Sequence, residues 1–89
     1  MREATVRVEN RLGLHARAAA RLVQVLSGFQ ADATLVARNR EVNGKSIMGV
    51  MMLAAGQGSD VLLRVDGADE DAALAAAQAL FARRFDEES

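Results

Sequence analysis

Apolar residues recur at two different spacings along the chain, and the changes of spacing mark out seven elements. Where every second residue is apolar, a strand with one buried face is predicted. Such strands cover residues 4–9, 32–37, 40–42 and 60–66. Where apolar residues lie three and four positions apart, a helix is predicted. These helices cover residues 16–27, 46–55 and 70 onward. The order β-α-β-β-α-β-α predicts an α+β fold, with the helices on one face of an antiparallel sheet.

The ends of the predicted helices carry capping and turn signals. Gly28 ends the first helix, Ser46 begins the second, and Asp69 is placed to cap the third. A tight turn near Asn39 joins the second and third strands. The final residues, Asp-Glu-Glu-Ser, are predicted to be a frayed acidic tail. The residues predicted to be buried on the first and last helices are Ala19, Leu22, Val23 and Leu26, and Leu74, Ala77, Leu80 and Phe81.

Composition restricts the chemistry that this chain can support. The 89 residues are 51% hydrophobic, which suits a single domain over residues 1–89. The chain has no cysteine and one histidine, so disulfides, thiol catalysis and the usual zinc sites are excluded, and no metal or cofactor is expected. A net charge of −1 argues against nucleic acid as the partner. Because no apolar run approaches the roughly 20 residues that cross a bilayer, no membrane insertion is expected. A cytoplasmic monomer is therefore predicted.

The single histidine, His15, stands where the first helix is predicted to begin. Unpaired amides of Ala16, Arg17 and Ala18 would point toward an anion at this position. A neutral imidazole is a nucleophile, and a phosphoryl group on it would contact those amides and the Arg17 guanidinium. The chain lacks a nucleotide-binding P-loop and a recognisable magnesium cluster, so other proteins would have to load such a group. The residues alone also allow His15 to be only a cap or a loop residue.

The second predicted helix holds two further candidates, each with two interpretations. Ser46 is either an ordinary N-cap or a site of regulatory phosphorylation. Met48, Met51 and Met52 either pack in the core or form an exposed docking patch. Three basic residues, Arg17, Arg21 and Lys45, either form a positive rim that attracts acidic partners or are simply a solvated face.

Two segments together resemble a known family. "GLHARAAARLVQ" and "NGKSIMGVMMLAAGQG" resemble the two signature segments of HPr, the family of histidine-containing phosphocarriers of the bacterial phosphotransferase system. The resemblance covers essentially the whole chain and implies an open-faced β-sandwich of four antiparallel strands with three helices on one side. It implies a carrier rather than an enzyme. In such a carrier the Nδ1 atom of His15 takes phosphate from phospho-Enzyme I, which phosphoenolpyruvate charges, and passes it to an enzyme IIA-type acceptor.

The same resemblance assigns roles to other residues. It implies that Arg17 supports the phosphoryl group and that Ser46 is modified by a serine kinase/phosphatase. Partner docking is implied for Ala20, Arg21, Gln24, Ile47, Met48 and Met51. The family usually has proline where this chain has Ala18; alanine keeps the helix and restores a donor N–H.

Three alternatives remain at this stage. One is a regulatory, nitrogen-type branch of the same family without sugar transport. The segment "ALFARRFDEES" favours this branch, whereas the intact "KSIMGVM" favours a sugar-type carrier. Another is a non-catalytic adaptor that binds through the Ser46 helix. The third is a small-molecule-binding α+β domain, which would need a concave pocket.

Overall fold

The computed structural model describes residues 1–87 of the chain. Its elements follow the predicted order. They are β1 (Arg2–Arg7), α1 (Ala16–Ser27), β2 (Asp32–Ala37), β3 (Arg40–Asn43), α2 (Ile47–Met52), β4 (Asp60–Asp66) and α3 (Glu70–Ala82). A short helical turn, Arg84–Asp86, follows α3 and is called the C-terminal turn below.

The four strands form one antiparallel sheet in the order β1-β4-β2-β3. One face of the sheet is buried under the helices; α3 packs on β1 and β4, and α1 packs on α2 and α3. The opposite face is open, and Arg64 pairs there with Glu3 at 2.8 Å and Glu41 at 3.2 Å. The predicted α+β fold, an open-faced β-sandwich, is confirmed.

The helical stripes form the core much as their spacing predicts. On α1, Ala19, Leu22 and Leu26 are buried, whereas Val23 is only half-buried. All four residues predicted to be buried on α3 are buried. Within residues 1–87, no helix has both the length and the apolar character needed to cross a membrane.

The bounds of three predicted elements were wrong. β3 ends at Asn43 rather than at residue 42. β1 covers residues 2–7 rather than 4–9, because its extent is set by pairing with β4, from Arg2 opposite Val65 to Arg7 opposite Asp60. The second helix ends at Met52 rather than at residue 55. Ala54 adopts a left-handed conformation with φ of 54°, which a continuing α-helix does not allow.

The predictions for the start of α3 and for the end of the chain were also wrong. Asp69 lies at the N-cap position of α3 but its side chain does not cap that helix. Its carboxylate instead accepts hydrogen bonds from the backbone N–H groups of Gln30 and Ala31, both at 2.8 Å. The predicted frayed tail is ordered as far as Glu87, because Asp86 completes the C-terminal turn and Glu87 contacts His15. The last two residues of that tail lie outside the described residues.

Candidate functional site

His15 is the N-cap residue of α1, as predicted. Its backbone is extended, with φ of −73° and ψ of −178°, and its carbonyl accepts the first helical hydrogen bond from Ala19 N–H at 2.8 Å. The ring atom Nδ1 accepts a hydrogen bond from the Arg17 backbone N–H at 3.4 Å. The His15 side chain is 26% exposed, so a reaction partner can reach the ring. Ala16 and Arg17 are exposed, whereas Ala18 is buried.

The loop before His15 is fixed by a buried amide. Asn10 is fully buried, and its Nδ2 donates to the Gly13 carbonyl at 2.8 Å and to Glu87 Oε1 at 3.0 Å. Its Oδ1 has no hydrogen-bond partner among residues 1–87. The Leu14 N–H donates to the Ala55 carbonyl at 2.9 Å, which fastens the loop to the chain that follows α2. His15 is therefore held by contacts on both sides of the loop.

The carboxylate of Glu87 contacts the far side of the His15 ring. Glu87 Oε2 lies 2.6 Å from His15 Nε2, and the Glu87 side chain is only 10% exposed. Burial raises the pKa of Glu87, but hydrogen bonds from Asn10 and His15 and the nearby charges of His15 and Arg17 lower it by more. The net result is a pKa below the ordinary value, so Glu87 is ionised at neutral pH.

The three predicted basic rim residues have different environments. Arg17 is exposed and forms no ion pair within residues 1–87. Arg21 donates to the Phe85 carbonyl and lies 3.6 Å from an Asp86 oxygen. Lys45 is half-buried, and its Nζ donates to the Phe29 carbonyl at 2.8 Å. Arg21 and Lys45 thus also bind groups of the chain itself, and the attraction of acidic partners by this rim stays a prediction.

Ser46 is the N-cap of α2, as predicted. Its Oγ accepts a hydrogen bond from the Gly49 N–H at 3.0 Å. Val50 is the buried residue of α2, and Leu53, just beyond the helix, is also buried. Core packing of the methionines was therefore the wrong interpretation: Met48, Met51 and Met52 are exposed by 71%, 42% and 60%.

Comparison with known proteins identifies the family. A family model described as the PTS HPr component phosphorylation site matches residues 2–83. The chain belongs to the HPr family. It is 54% identical over 89 residues to a phosphocarrier protein HPr from Xylella fastidiosa, with both chains covered completely. A crystal structure of HPr-C-His from Thermoanaerobacter tengcongensis superposes with a TM-score of 0.96 at 43% identity, again over both whole chains. The chain is accordingly a phosphocarrier of the phosphotransferase system.

One relative carries the name NPr instead of HPr. A phosphocarrier protein NPr from Shewanella violacea is 42% identical over 87 residues, covering 98% of this chain and 96% of that protein. Identity to the HPr-named relative from Xylella fastidiosa is higher, at 54%. The HPr assignment is therefore better supported than the nitrogen-type alternative.

In this member of the HPr family, α2 presents an exposed apolar patch. The patch is defined here as Ile47, Met48, Met51 and Met52, of which Ile47 is 43% exposed. The two remaining docking candidates on α1 are Ala20, which is half-buried, and Gln24, which is exposed. Leu12, in the loop before His15, is 62% exposed and was not predicted as a docking residue.

Sequence reasoning also missed Asn10 and Glu87 at the site. Asn10 looks like an ordinary turn residue in "ENRLG", and Glu87 looks like part of an acidic tail. Glu87 lies 72 positions from His15, and no local pattern links two residues at that separation. The one available signal was a polar residue at position 10, which continues the alternation that begins with Val6 and Val8.

Proposed function

We propose that Nδ1 of His15 accepts a phosphoryl group from Enzyme I and passes it to an enzyme IIA-type acceptor. The observation that carries this proposal is the opposite environment of the two ring nitrogens. Nε2 faces the Glu87 carboxylate at 2.6 Å, whereas Nδ1 faces the Arg17 N–H at 3.4 Å. A carboxylate only accepts, so Nε2 carries the proton and Nδ1 keeps its lone pair. The nucleophilic nitrogen thus points at the amino end of α1.

The surroundings of Nδ1 suit a phosphoryl group. The first amides of an α-helix have no partner within the helix, and two of them belong to the exposed residues Ala16 and Arg17. The Arg17 amide, which donates to Nδ1 at 3.4 Å, would donate to a phosphoryl oxygen once Nδ1 carries the group. The Arg17 guanidinium adds a charged fork that pairs with such oxygens two at a time. Ala18 is buried, so its amide is the least accessible of the predicted donors. The carrier contributes position and charge, which are the main contributions to phosphoryl transfer.

Both partners are proposed to dock on the apolar patch and the exposed side of α1. The patch and His15 lie on neighbouring elements, because α1 packs on α2 and the chain after α2 binds the loop before His15. Methionine side chains adapt to differently shaped partners, which suits a protein that binds a donor and an acceptor in turn. Such contacts need a modest interface so that each partner is released quickly. We propose that the carrier works as a monomer in the cytoplasm.

Labelling from phosphoenolpyruvate tests this function directly. The chain is mixed with Enzyme I and phosphoenolpyruvate labelled in its phosphate, and acid-labile label on the chain is counted. His15→Ala is expected to take up none. Arg17→Ala is expected to fold normally and accept label more slowly, whereas Arg7→Ala, an exposed arginine on β1, serves as the matched control and keeps the full rate. Label on His15→Ala, or an unchanged rate in Arg17→Ala, contradicts the assignment of that residue.

Ser46 is proposed as a site of regulatory phosphorylation by a serine kinase/phosphatase. It is half-buried beside two exposed members of the apolar patch, Ile47 and Met48. A phosphate there would put nearly two negative charges at an apolar docking surface, which disfavours docking.

Two measurements test the proposal for Ser46. Acid-stable label from ATP and cell extract of the source organism should be lost in Ser46→Ala. Ser46→Asp should raise the KM for Enzyme I, whereas Gln78→Glu, which adds one negative charge on exposed α3, should leave it unchanged. Equal KM values for the two variants would contradict the proposal.

A further inference from the structure

The Glu87 carboxylate is held in place on both of its oxygens. Oε2 lies 2.6 Å from His15 Nε2, and Oε1 accepts from Asn10 Nδ2 at 3.0 Å. Asn10 is fully buried, and its second Nδ2 hydrogen is used by the Gly13 carbonyl at 2.8 Å. The amide therefore cannot rotate freely, and it fixes the carboxylate that contacts the ring.

The chain takes an unfavourable conformation to deliver this carboxylate. The φ angles are 56° at Arg84, 56° at Phe85 and 60° at Asp86. These values lie in the left-handed region, which residues other than glycine rarely adopt. Three such residues in succession reverse the chain after α3 and direct it back toward α1. Backbone strain of this kind persists only where the surroundings impose it, and it is concentrated at functional sites.

Core contacts impose the conformation of the C-terminal turn. Phe85 is fully buried, and its ring meets the Phe81 ring edge-on with centroids 4.9 Å apart. Arg21 of α1 donates to the Phe85 carbonyl. The turn is thus anchored to the helix that carries His15, and Glu87 follows this anchor by two residues.

We propose that Glu87 is a positioning residue for phosphoryl transfer, and this rests on the proposed role of His15. Glu87 keeps the proton on Nε2 and orients the ring, so that the Nδ1 lone pair attacks phosphorus. As the Nδ1–P bond forms, the bond between phosphorus and the donor atom of phospho-Enzyme I breaks, and its electron pair stays on that donor atom. Nε2 retains its proton, and the positive charge that develops on the His15 ring is stabilised by the carboxylate.

Glu87→Gln tests the role with little change of shape. A carboxylate accepts from both His15 and Asn10, whereas an amide has one acceptor oxygen and would turn its NH₂ group toward one of these donors. The expected result is transfer from phospho-Enzyme I slowed at least about tenfold in kcat, with KM unchanged, since a hydrogen bond to a charged group is removed. The ring ¹⁵N shifts of His15 should move toward the tautomer with the proton on Nδ1.

Asp86→Asn is the matched control. It removes one negative charge from the same turn, and Asp86 pairs with Arg83 at 3.1 Å and Arg21 at 3.6 Å rather than with His15. Its kcat and its His15 ring shifts should stay at the values of the parent chain.

The outcomes separate this proposal from the proposed function. If Glu87→Gln transfers the phosphoryl group at the rate of the parent chain and His15→Ala takes up no label, the positioning role is overturned but the proposed function is not. If Glu87→Gln transfers the phosphoryl group more slowly but the ring ¹⁵N shifts of His15 are unchanged, the positioning role is also overturned. The slower transfer is then not caused by a change of the His15 tautomer. Acid-labile label on His15→Ala overturns the proposed function, and the positioning role with it.

Discussion

Gly13 stands two residues before His15, at a point where the fold has no space for a β-carbon. Its φ is +67°, and a Cβ built there would lie 2.6 Å from the Ala55 carbonyl oxygen and 2.8 Å from the Gly56 Cα. Both of these are backbone atoms, so no side-chain rotation relieves the overlap. Gly13→Ala must therefore displace either the loop before His15 or the chain that follows α2.

The structure gives two contributions to the cost of Gly13→Ala. A left-handed conformation costs a residue other than glycine about 1–2 kcal/mol. Forcing extra atoms into a packed site costs about 1–3 kcal/mol more. Gly58 supplies the matched control, because its φ is +87° but no atom lies within 4 Å of a built Cβ. We therefore expect the free energy of unfolding to fall by about 2–5 kcal/mol in Gly13→Ala and by about 1–2 kcal/mol in Gly58→Ala.

Urea unfolding followed by far-ultraviolet circular dichroism measures this difference. The chain has no Trp and no Tyr, so intrinsic fluorescence offers little signal. The midpoint of Gly13→Ala should lie well below that of Gly58→Ala, with similar m-values. If the two variants lose the same free energy of unfolding, the tight approach of Gly13 to Ala55 is refuted, and the reasoning that fixes the His15 loop fails with it.

Three further changes have expected outcomes that follow from single contacts. Ser46→Ala removes the cap of α2 and should lower the free energy of unfolding by about 1 kcal/mol, measured by urea unfolding. Phe85→Ala empties a fully buried site and should cost about 3–5 kcal/mol in the same assay. The Gln30 and Ala31 amides that bind Asp69 hold its pKa below the ordinary value. The stabilisation by ionised Asp69 should therefore be complete above about pH 4 and be lost as the pH falls further, when the parent is compared with Asp69→Asn.

Each of these outcomes has a clear contrary result. An unchanged unfolding midpoint in Ser46→Ala would show that the cap contributes nothing to α2. A cost below 1 kcal/mol in Phe85→Ala would show that the C-terminal turn is not anchored in the core. A difference between the parent and Asp69→Asn that stays constant from pH 7 to pH 2 would contradict the lowered pKa of Asp69.

Local sequence was enough to predict the elements and the two caps. Helix α1 and strands β2 and β4 have the predicted bounds, because the spacing of apolar residues and the flanking turn residues are both local. His15 and Ser46 are N-caps as predicted, since capping depends on residues two or three positions away. The sequence left open whether the methionines are buried or exposed, because a six-residue helix has too few turns to define its buried side.

Contacts between distant segments were decided only by the tertiary structure. Asp69 has the sequence of an N-cap, yet its carboxylate binds the amides that precede β2, because folding brings those unpaired donors within reach. Glu87 reads as tail, yet it contacts His15, because burial of Phe85 directs the chain back to α1. The sequence by itself determined which residue is proposed to carry a phosphoryl group, since His15 and its helix are local features. In the proposed mechanism the ring nitrogen that is left unprotonated depends on a carboxylate 72 positions away, and only three-dimensional packing brings that charge to the ring.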